Sequence, residues 1–83
     1  MKITVRYFAS VREAVGQGVE QVDTSAASLV ALSDELIARG PVYAEALARG
    51  RSVRMALNQV MADESATLAH GSEVAFFPPV TGG

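Results

Sequence analysis

Two consecutive prolines near the end of the chain, Pro78 and Pro79, limit what can fold there. Proline has no backbone N–H to donate and its ring fixes φ, so a strand cannot continue through two prolines in a row. The pair favours an extended, polyproline-like path that leads the chain away from a sheet. We therefore predict one domain over residues 1–77 and an extended tail over residues 78–83.

The tail finishes with Gly82 and Gly83, so its last two steps carry no side chains. Glycine permits close backbone approach, and the proline spacer delivers the glycines at a defined distance. Chain ends are also where disorder concentrates, so a Gly-Gly end by itself says little. In combination with the prolines, it predicts a carboxylate threaded into a narrow site of another protein.

The composition of the chain limits the functions that it can have. With 83 residues, of which 49% are hydrophobic, the chain can form one small domain with a single core. It has no cysteine and one histidine, His70, so a thiolate site, a protein-only metal site or a Ser-His relay is not supported. The net charge of -2 does not favour nucleic-acid binding, and we interpret Arg49, Arg51 and Arg54 as a solvated loop. No membrane span or secretory signal is evident. We expect a cytoplasmic protein that binds no cofactor or metal and is not an enzyme by itself.

Alternation of apolar and polar residues predicts strands at both ends of the domain, over residues 2–8 and 73–77. The predicted core-facing positions are Ile3, Val5, Tyr7, Val74 and Phe76. Phe8, Ala75 and Phe77 fall on the opposite face by parity.

Two helices are predicted between these strands, separated by a strand over residues 19–23. Ser10 and Glu13 fit a capping box, which predicts a short helix that extends to about Val15. Ser25 is the predicted N-cap of the main helix. The apolar stripe of this helix consists of Leu29, Val30, Leu32, Leu36 and Ile37.

Shorter elements are predicted in the second half. Gly40 and Pro41 end the main helix, and a further helical turn or two over residues 42–48 is predicted to pack Val42 and Leu47. The remaining predictions are strands over residues 53–58 and 60–62, a tight turn at Asn58 and Gln59, a core position at Leu68 and a turn at His70 and Gly71.

This order of elements predicts an α+β domain in which a mixed sheet of four to five strands packs on one main helix. Phe8, Met61 and Phe77 remain on the outer sheet face, beside the tail, after the core is filled. Burying such side chains contributes roughly 1.5–3 kcal/mol each. The three residues are therefore predicted to form a partner surface.

The ending Phe76-Phe77-Pro78-Pro79-Val80-Thr81-Gly82-Gly83 resembles that of the small subunit of molybdopterin synthase, the ubiquitin-like sulfur carriers often called MoaD. Residues 71–75 and 8–13 contribute to the resemblance, which covers essentially the whole chain. It implies a β-grasp fold with the first and last strands parallel and adjacent at the centre of the sheet.

The resemblance also implies a carrier cycle on Gly83. An ATP-dependent activating enzyme, an adenylyltransferase, would convert the Gly83 carboxylate to an acyl-adenylate, and a sulfur donor would then form a thiocarboxylate. In a heterotetrameric synthase, the large subunit would pass this sulfur to cyclic pyranopterin monophosphate, and two deliveries would complete the dithiolene of molybdopterin. The implied catalytic residues are Gly83 and Gly82. The implied partner-binding residues are Phe8, Met61, Phe77, Pro78, Pro79, Val80 and Thr81.

Two other functions fit the same residues. The chain would serve as a protein modifier if Gly83 were conjugated to lysines of other proteins. It would serve as a non-covalent binding module if the tail were incidental.

Overall fold

A computed structural model describes residues 1–47 and 53–78. The elements are β1 (Lys2–Tyr7), α1 (Ala9–Val15), β2 (Val19–Asp23), α2 (Leu29–Ile37), α3 (Pro41–Leu47), β3 (Arg54–Leu57), β4 (Val60–Met61) and β5 (Glu73–Phe77). The predicted order of strands and helices is confirmed. Arg54 lies in β3, within the strand predicted over residues 53–58, so its interpretation as part of a solvated loop is wrong. Arg49 and Arg51 lie outside the described residues.

The five strands form one mixed sheet in the order β2-β1-β5-β3-β4. β1 and β5 pair in parallel, with Tyr7 opposite Phe76, and the other neighbours are antiparallel. β5 is therefore the central strand, and the tail continues from its carboxyl end. This arrangement is the β-grasp topology that the family resemblance implies, and it confirms the α+β class predicted from the pattern of elements.

The core lies between one face of the sheet and the helices. Side chains of this core from the sheet, α2 and the segment before β5 are almost fully buried: Ile3, Val5, Tyr7, Val22, Leu29, Leu32, Leu36, Leu68, Val74 and Phe76. All five predicted core-facing strand positions and Leu68 are confirmed. The rings of Tyr7 and Phe76 stack with their centroids 6.1 Å apart. Side chains of this size each contribute about 1.5–3 kcal/mol when they leave water.

The predicted capping box at Ser10 is wrong. The residue before α1 is Phe8, which makes no side-chain cap, and Ser10 lies within the helix. The Phe8 N–H still bonds to the Phe76 carbonyl (3.0 Å), while the Phe8 carbonyl already accepts from Val11 and Arg12. Strand and helix are thus joined without a linker, and Ala9 adopts a left-handed φ of 50° at the junction.

The predicted N-cap of α2 at Ser25 is also wrong, since the helix begins three residues later. The Ser28 hydroxyl oxygen accepts from the Ala31 N–H at 3.3 Å. The segment before it is fixed by Thr24, whose hydroxyl donates to Glu35 (2.8 Å) and accepts from the Ala26 N–H (2.9 Å). Thr24 is buried, so this turn belongs to the packed interior and Ser25 is left exposed.

The prediction for α3 is half right. Leu47 is buried, but Val42 is 49% exposed. Pro41 occupies the first position of α3, where its missing N–H costs nothing. The core-facing positions of this short helix are Ala46 and Leu47, which places Val42 on the outward side.

Candidate functional site

The root of the tail is held against the body of the domain. Phe76 is buried, Phe77 faces the outer side of the sheet and Pro78 is half-buried. A small cavity of about 90 Å³ lies beside Pro78, and it is lined by residues of α1 and α3 together with Val53. The direction in which the tail leaves the domain is therefore set by packing up to Pro78. The predicted partner-binding residues Pro79, Val80, Thr81 and Gly82, and Gly83 itself, lie outside the described residues.

An apolar patch beside this root occupies the outer sheet face. We call it the outer-face patch, and its members are Phe8, Ala56, Met61, Ala75 and Phe77. Phe8 is 46% exposed and Met61 59% exposed, and Phe77 is half-buried. The prediction that Phe8, Met61 and Phe77 remain outside the core is confirmed, while their role in binding a partner stays a prediction.

Strand register brings these residues together. Phe8 follows the Tyr7–Phe76 pair, so it lies beside Phe77. Ala56 pairs with Ala75 on one side and with Met61 on the other. Since neighbouring strands lie about 4.8 Å apart, Met61 is roughly 10 Å from β5 across the sheet. The members of the patch are far apart in sequence, between residues 8 and 77. Strand pairing brings them together at the end of the sheet from which the tail continues.

Two arginines border the outer-face patch. Arg6 is opposite Ala75, and its guanidinium Nε donates to Glu73 Oε2 at 3.1 Å. Arg54 is opposite Phe77 and is exposed. Opposite residues in a ladder project from the same face, so both cations belong to the surface that a partner would cover.

A second polar cluster surrounds Glu20 on β2. The carboxylate accepts from Arg39 Nη1 (2.8 Å), Tyr7 Oη (2.8 Å), Tyr43 Oη (2.9 Å) and Gln17 Nε2 (3.1 Å). Burial by itself raises the pKa of Glu20, but the hydrogen bonds from Arg39, Tyr7 and Tyr43 outweigh it and hold the pKa below its ordinary value. Such a carboxylate has its acceptor sites occupied, so it serves to bind β2 to the α2–α3 connection and not to accept a proton in catalysis.

The cluster also shifts the pKa values of two partners of Glu20. Burial, followed by the hydrogen bond to Glu20, raises the pKa of Tyr7 far above the ordinary tyrosine value. The same carboxylate raises the pKa of Arg39, whose guanidinium also lies 5.4 Å from the centre of the Tyr43 ring. Sequence analysis missed this cluster because its members come from three separate stretches of the chain, on β1, around the start of β2 and from the end of α2 into α3.

Two further features of the described residues are the placement of potential metal ligands and the length of the helices. In residues 1–47 and 53–78, no three His, Cys, Asp or Glu side chains are grouped to hold a metal ion. The helices of the same residues are too short to cross a bilayer. His70 Nδ1 accepts from the Lys2 N–H at 3.1 Å, which gives the histidine a structural role at its turn.

Comparison with known families decides the classification. The model of the ThiS family matches residues 5–83. The chain belongs to the ThiS family. A curated ThiS-like relative from Escherichia coli (strain K12) is 41% identical over 81 residues, which cover 98% of this chain and 99% of the relative, and is named molybdopterin synthase sulfur carrier subunit.

Solved structures agree with this family assignment. SAMP1 from Haloferax volcanii, a small archaeal modifier protein, superposes with a TM-score of 0.78 at 25% identity and covers 100% of both chains. A protein of the molybdopterin-converting factor from Helicobacter pylori 26695, solved as a complex of subunits 1 and 2, superposes with a TM-score of 0.71 at 25% identity, again over 100% of both chains. The β-grasp fold of this ThiS family member is thus shared over its whole length.

Proposed function

We propose that this protein is the sulfur carrier subunit of a molybdopterin synthase. The observation that carries the proposal is the position of the tail root, which continues from the central strand and lies beside the exposed outer-face patch. Full-length identity of 41% to the Escherichia coli carrier and the likeness to the Helicobacter pylori complex support it. In this proposal the folded domain holds the tail in position, and the partner supplies the catalytic groups.

The proposed chemistry takes place at the Gly83 carboxyl group. An adenylyltransferase uses ATP to form an acyl-adenylate and releases pyrophosphate. Sulfide supplied by a sulfur donor then attacks the acyl carbon, AMP leaves with the electron pair of the broken C–O bond, and the C-terminal thiocarboxylate remains. In the synthase this thiocarboxylate delivers its sulfur to cyclic pyranopterin monophosphate, and water restores the carboxylate. Glu20 is fully engaged by its donors and His70 is part of a turn, so the acid, base and anion-binding groups must come from the partners.

The described residues have separate roles in this cycle. Phe8, Met61 and Phe77 supply apolar area that the large subunit covers, while Pro78 fixes the direction of the tail. Burial of the outer-face patch contributes the affinity for the large subunit, and the carboxyl group at the end of the tail takes part in the reaction. Gly82 and Gly83 have no side chains, which suits a peptide that must enter a narrow pocket.

Deleting Gly82 and Gly83 tests the proposal. We expect molybdopterin formation in a reconstituted assay to be lost, because the acyl group then ends on Thr81. The melting temperature should stay unchanged, because the core lies within residues 3–76. Intact-mass measurement of wild-type protein from its native host should show the replacement of one oxygen by sulfur. Normal molybdopterin formation by the shortened chain would refute the proposal.

The structural likeness to SAMP1 favours a second candidate, a protein modifier joined through Gly83 to lysines of other proteins. This candidate predicts covalent adducts of the chain with other proteins in the native host, with an isopeptide bond from Gly83 identified by peptide mass spectrometry. Removal of Gly83 would abolish those adducts. Finding the thiocarboxylate without adducts decides for the carrier.

A further inference from the structure

Arg54 occupies a distinctive position on the outer sheet face. It is the first residue of β3, it is exposed, and its backbone position pairs with Phe77. Since paired residues project from the same face, the guanidinium lies at the border of the outer-face patch and at the end of the sheet from which the tail leaves. A partner that covers Phe77 must therefore also accommodate Arg54.

The described part of the chain leaves the charge of Arg54 uncompensated. Its ion pairs are Met1 with Asp23, Arg6 with Glu73 and Arg39 with Glu20, and none includes Arg54. Arg6, the other arginine beside the outer-face patch, is thus neutralised.

Carboxylates do occur near Arg54, but outside ion-pair distance. Asp63 and Glu64 line the same groove of about 460 Å³, together with Met55 and Met61. The carboxylate of Asp63 accepts hydrogen bonds from the Ser65 N–H and hydroxyl, which direct it to its own turn. A carboxylate that compensates Arg54 directly must therefore come from outside the described residues.

The chemistry of docking then specifies what faces Arg54. Covering the outer-face patch removes water, and a guanidinium that loses water without a counter-charge destabilises the complex. The planar fork of arginine matches a carboxylate through two parallel N–H···O bonds. We propose that Arg54 determines partner specificity by pairing with a carboxylate of the large synthase subunit, beside the site where Phe77 is covered. This inference rests on the proposed function and adds an acidic group to the partner's docking surface.

Substitution of Arg54 by Gln, with Lys2→Gln as a matched control, tests the inference. Both changes remove one positive charge from the same sheet face, but Lys2 lies at the far end of β1, roughly 20 Å along the strand direction from the level of Arg54. The purified large subunit of the same organism is titrated at low and at high salt. We expect Arg54→Gln to weaken binding about three- to tenfold at low salt and less than about twofold at high salt. Lys2→Gln should change affinity less than about twofold at either salt concentration.

Other outcomes separate the two proposals. If Arg54→Gln and Lys2→Gln change the affinity for the large subunit by the same factor while Phe77→Ala weakens binding, the inference about Arg54 is wrong. The docking surface of the proposed function then still holds. An equal loss for Arg54→Gln at both salt concentrations would mean that Arg54 acts by packing, which also overturns the inference. If Phe77→Ala binds as tightly as wild type, the docking surface of the proposed function fails.

Charge reversal identifies the partner group. The Arg54→Glu variant should bind poorly to the wild-type large subunit. One Asp→Lys or Glu→Lys variant of the large subunit should restore the affinity for Arg54→Glu. The position of that variant identifies the carboxylate that pairs with Arg54. The absence of any restoring position across the acidic residues of the large subunit would overturn the inference.

Discussion

At the scale of single residues, Glu20 accepts four side-chain hydrogen bonds within the described part of the chain. Its side chain is only 14% exposed, and the cation that neutralises it, Arg39, lies 2.8 Å away. Charge-assisted hydrogen bonds are stronger than neutral ones, and a buried tyrosine hydroxyl such as that of Tyr7 needs an acceptor. The carboxylate therefore joins the start of the sheet to the helices that cover it.

Replacement of Glu20 by Gln should reduce the free energy of unfolding by about 1–3 kcal/mol at neutral pH, because Arg39 loses its counter-charge. The folded-state pKa of Glu20 is below its ordinary value of 4.5. Its stabilisation is thus present above that value and is lost as the pH falls through the folded-state pKa. Urea unfolding at pH 7 and pH 3 should show the difference between wild type and variant shrinking in acid. Glu13→Gln, at an exposed position of α1, should change stability by less than about 0.5 kcal/mol, and an equal effect at both glutamates would contradict this assignment.

Two serines of the α2 region should respond oppositely to alanine. Ser33 is 2% exposed, and its hydroxyl has no hydrogen-bond partner among residues 1–47 and 53–78. Ser33→Ala should therefore stabilise the protein by about 1 kcal/mol, with a gain in helix propensity included. Ser28→Ala removes the N-cap and should cost about 1 kcal/mol. Thermal melts of the two variants suffice, and destabilisation by Ser33→Ala would show that an ordered water satisfies the hydroxyl.

At the scale of elements, the hairpin between β3 and β4 is short and strained. Its two connecting residues, Asn58 and Gln59, have φ values of 51° and 69°, as in a type I′ turn. The Asn58 side chain accepts from the Glu73 N–H at 2.9 Å, which ties the turn to the central strand. Gln59 makes no corresponding contact among the described residues and carries its positive φ without compensation.

Gln59→Gly should therefore raise the free energy of unfolding by about 0.5–1 kcal/mol, since glycine adopts this conformation without a steric penalty. Asn58→Ala is the matched control on the same turn. It loses the bond to Glu73 and keeps the positive φ, so it should destabilise by about 1–2 kcal/mol. Chemical denaturation of both variants measures the two effects, and a loss of stability in Gln59→Gly would show that the glutamine side chain has a role in the turn.

Elements also show where sequence reasoning succeeds and fails. Strands with period-two alternation were predictable because the signal is local: Ile3, Val5 and Tyr7 reveal their face within six residues. The start of α2 was not predictable in this way, because Thr24, Ser25 and Ser28 are all acceptable N-cap residues. The choice among them was made by the contact between Thr24 and Glu35, eleven positions later.

The candidate site divides in the same way. Parity placed Phe77 on the outer face and predicted that Phe8 and Met61 would join it, and the structure places all three outside the core. Arg54 received two conflicting interpretations, as part of a loop with two nearby arginines and as part of the strand over residues 53–58. The register with Phe77 shows that it lies in the strand and on the outer face. The Glu20 cluster has no local signal, since only the folded sheet and helices bring its five residues into contact.

At the scale of the whole molecule, the core and the outer-face patch occupy opposite faces of one sheet. Phe76 is buried at 0% exposure, whereas its neighbour Phe77 is half-buried on the other side. In the proposed function, adjacent residues of β5 therefore serve stability and recognition separately. Substitutions on the outer face should for this reason affect binding more than folding.

Phe77→Ala should weaken binding to the large subunit about 10- to 100-fold, as expected for an aromatic residue at the centre of an interface. Its melting temperature should fall by only a few degrees, because Phe77 is half-buried in the free protein. Val42→Ala is the control, since Val42 is 49% exposed on α3, away from the outer sheet face. Titration calorimetry and thermal melts of both variants check the separation, and a larger loss of folding than of binding in Phe77→Ala would argue against it.

The central position of β5 has a mechanical consequence. Its backbone is bonded to β1 on one edge and to β3 on the other. An enzyme that grips the terminus and draws on it pulls along the strand axis, so the load is shared in shear by two ladders and neither one is peeled open from its end. In the proposed carrier cycle, we therefore expect the domain to stay folded through repeated capture and release of its terminus.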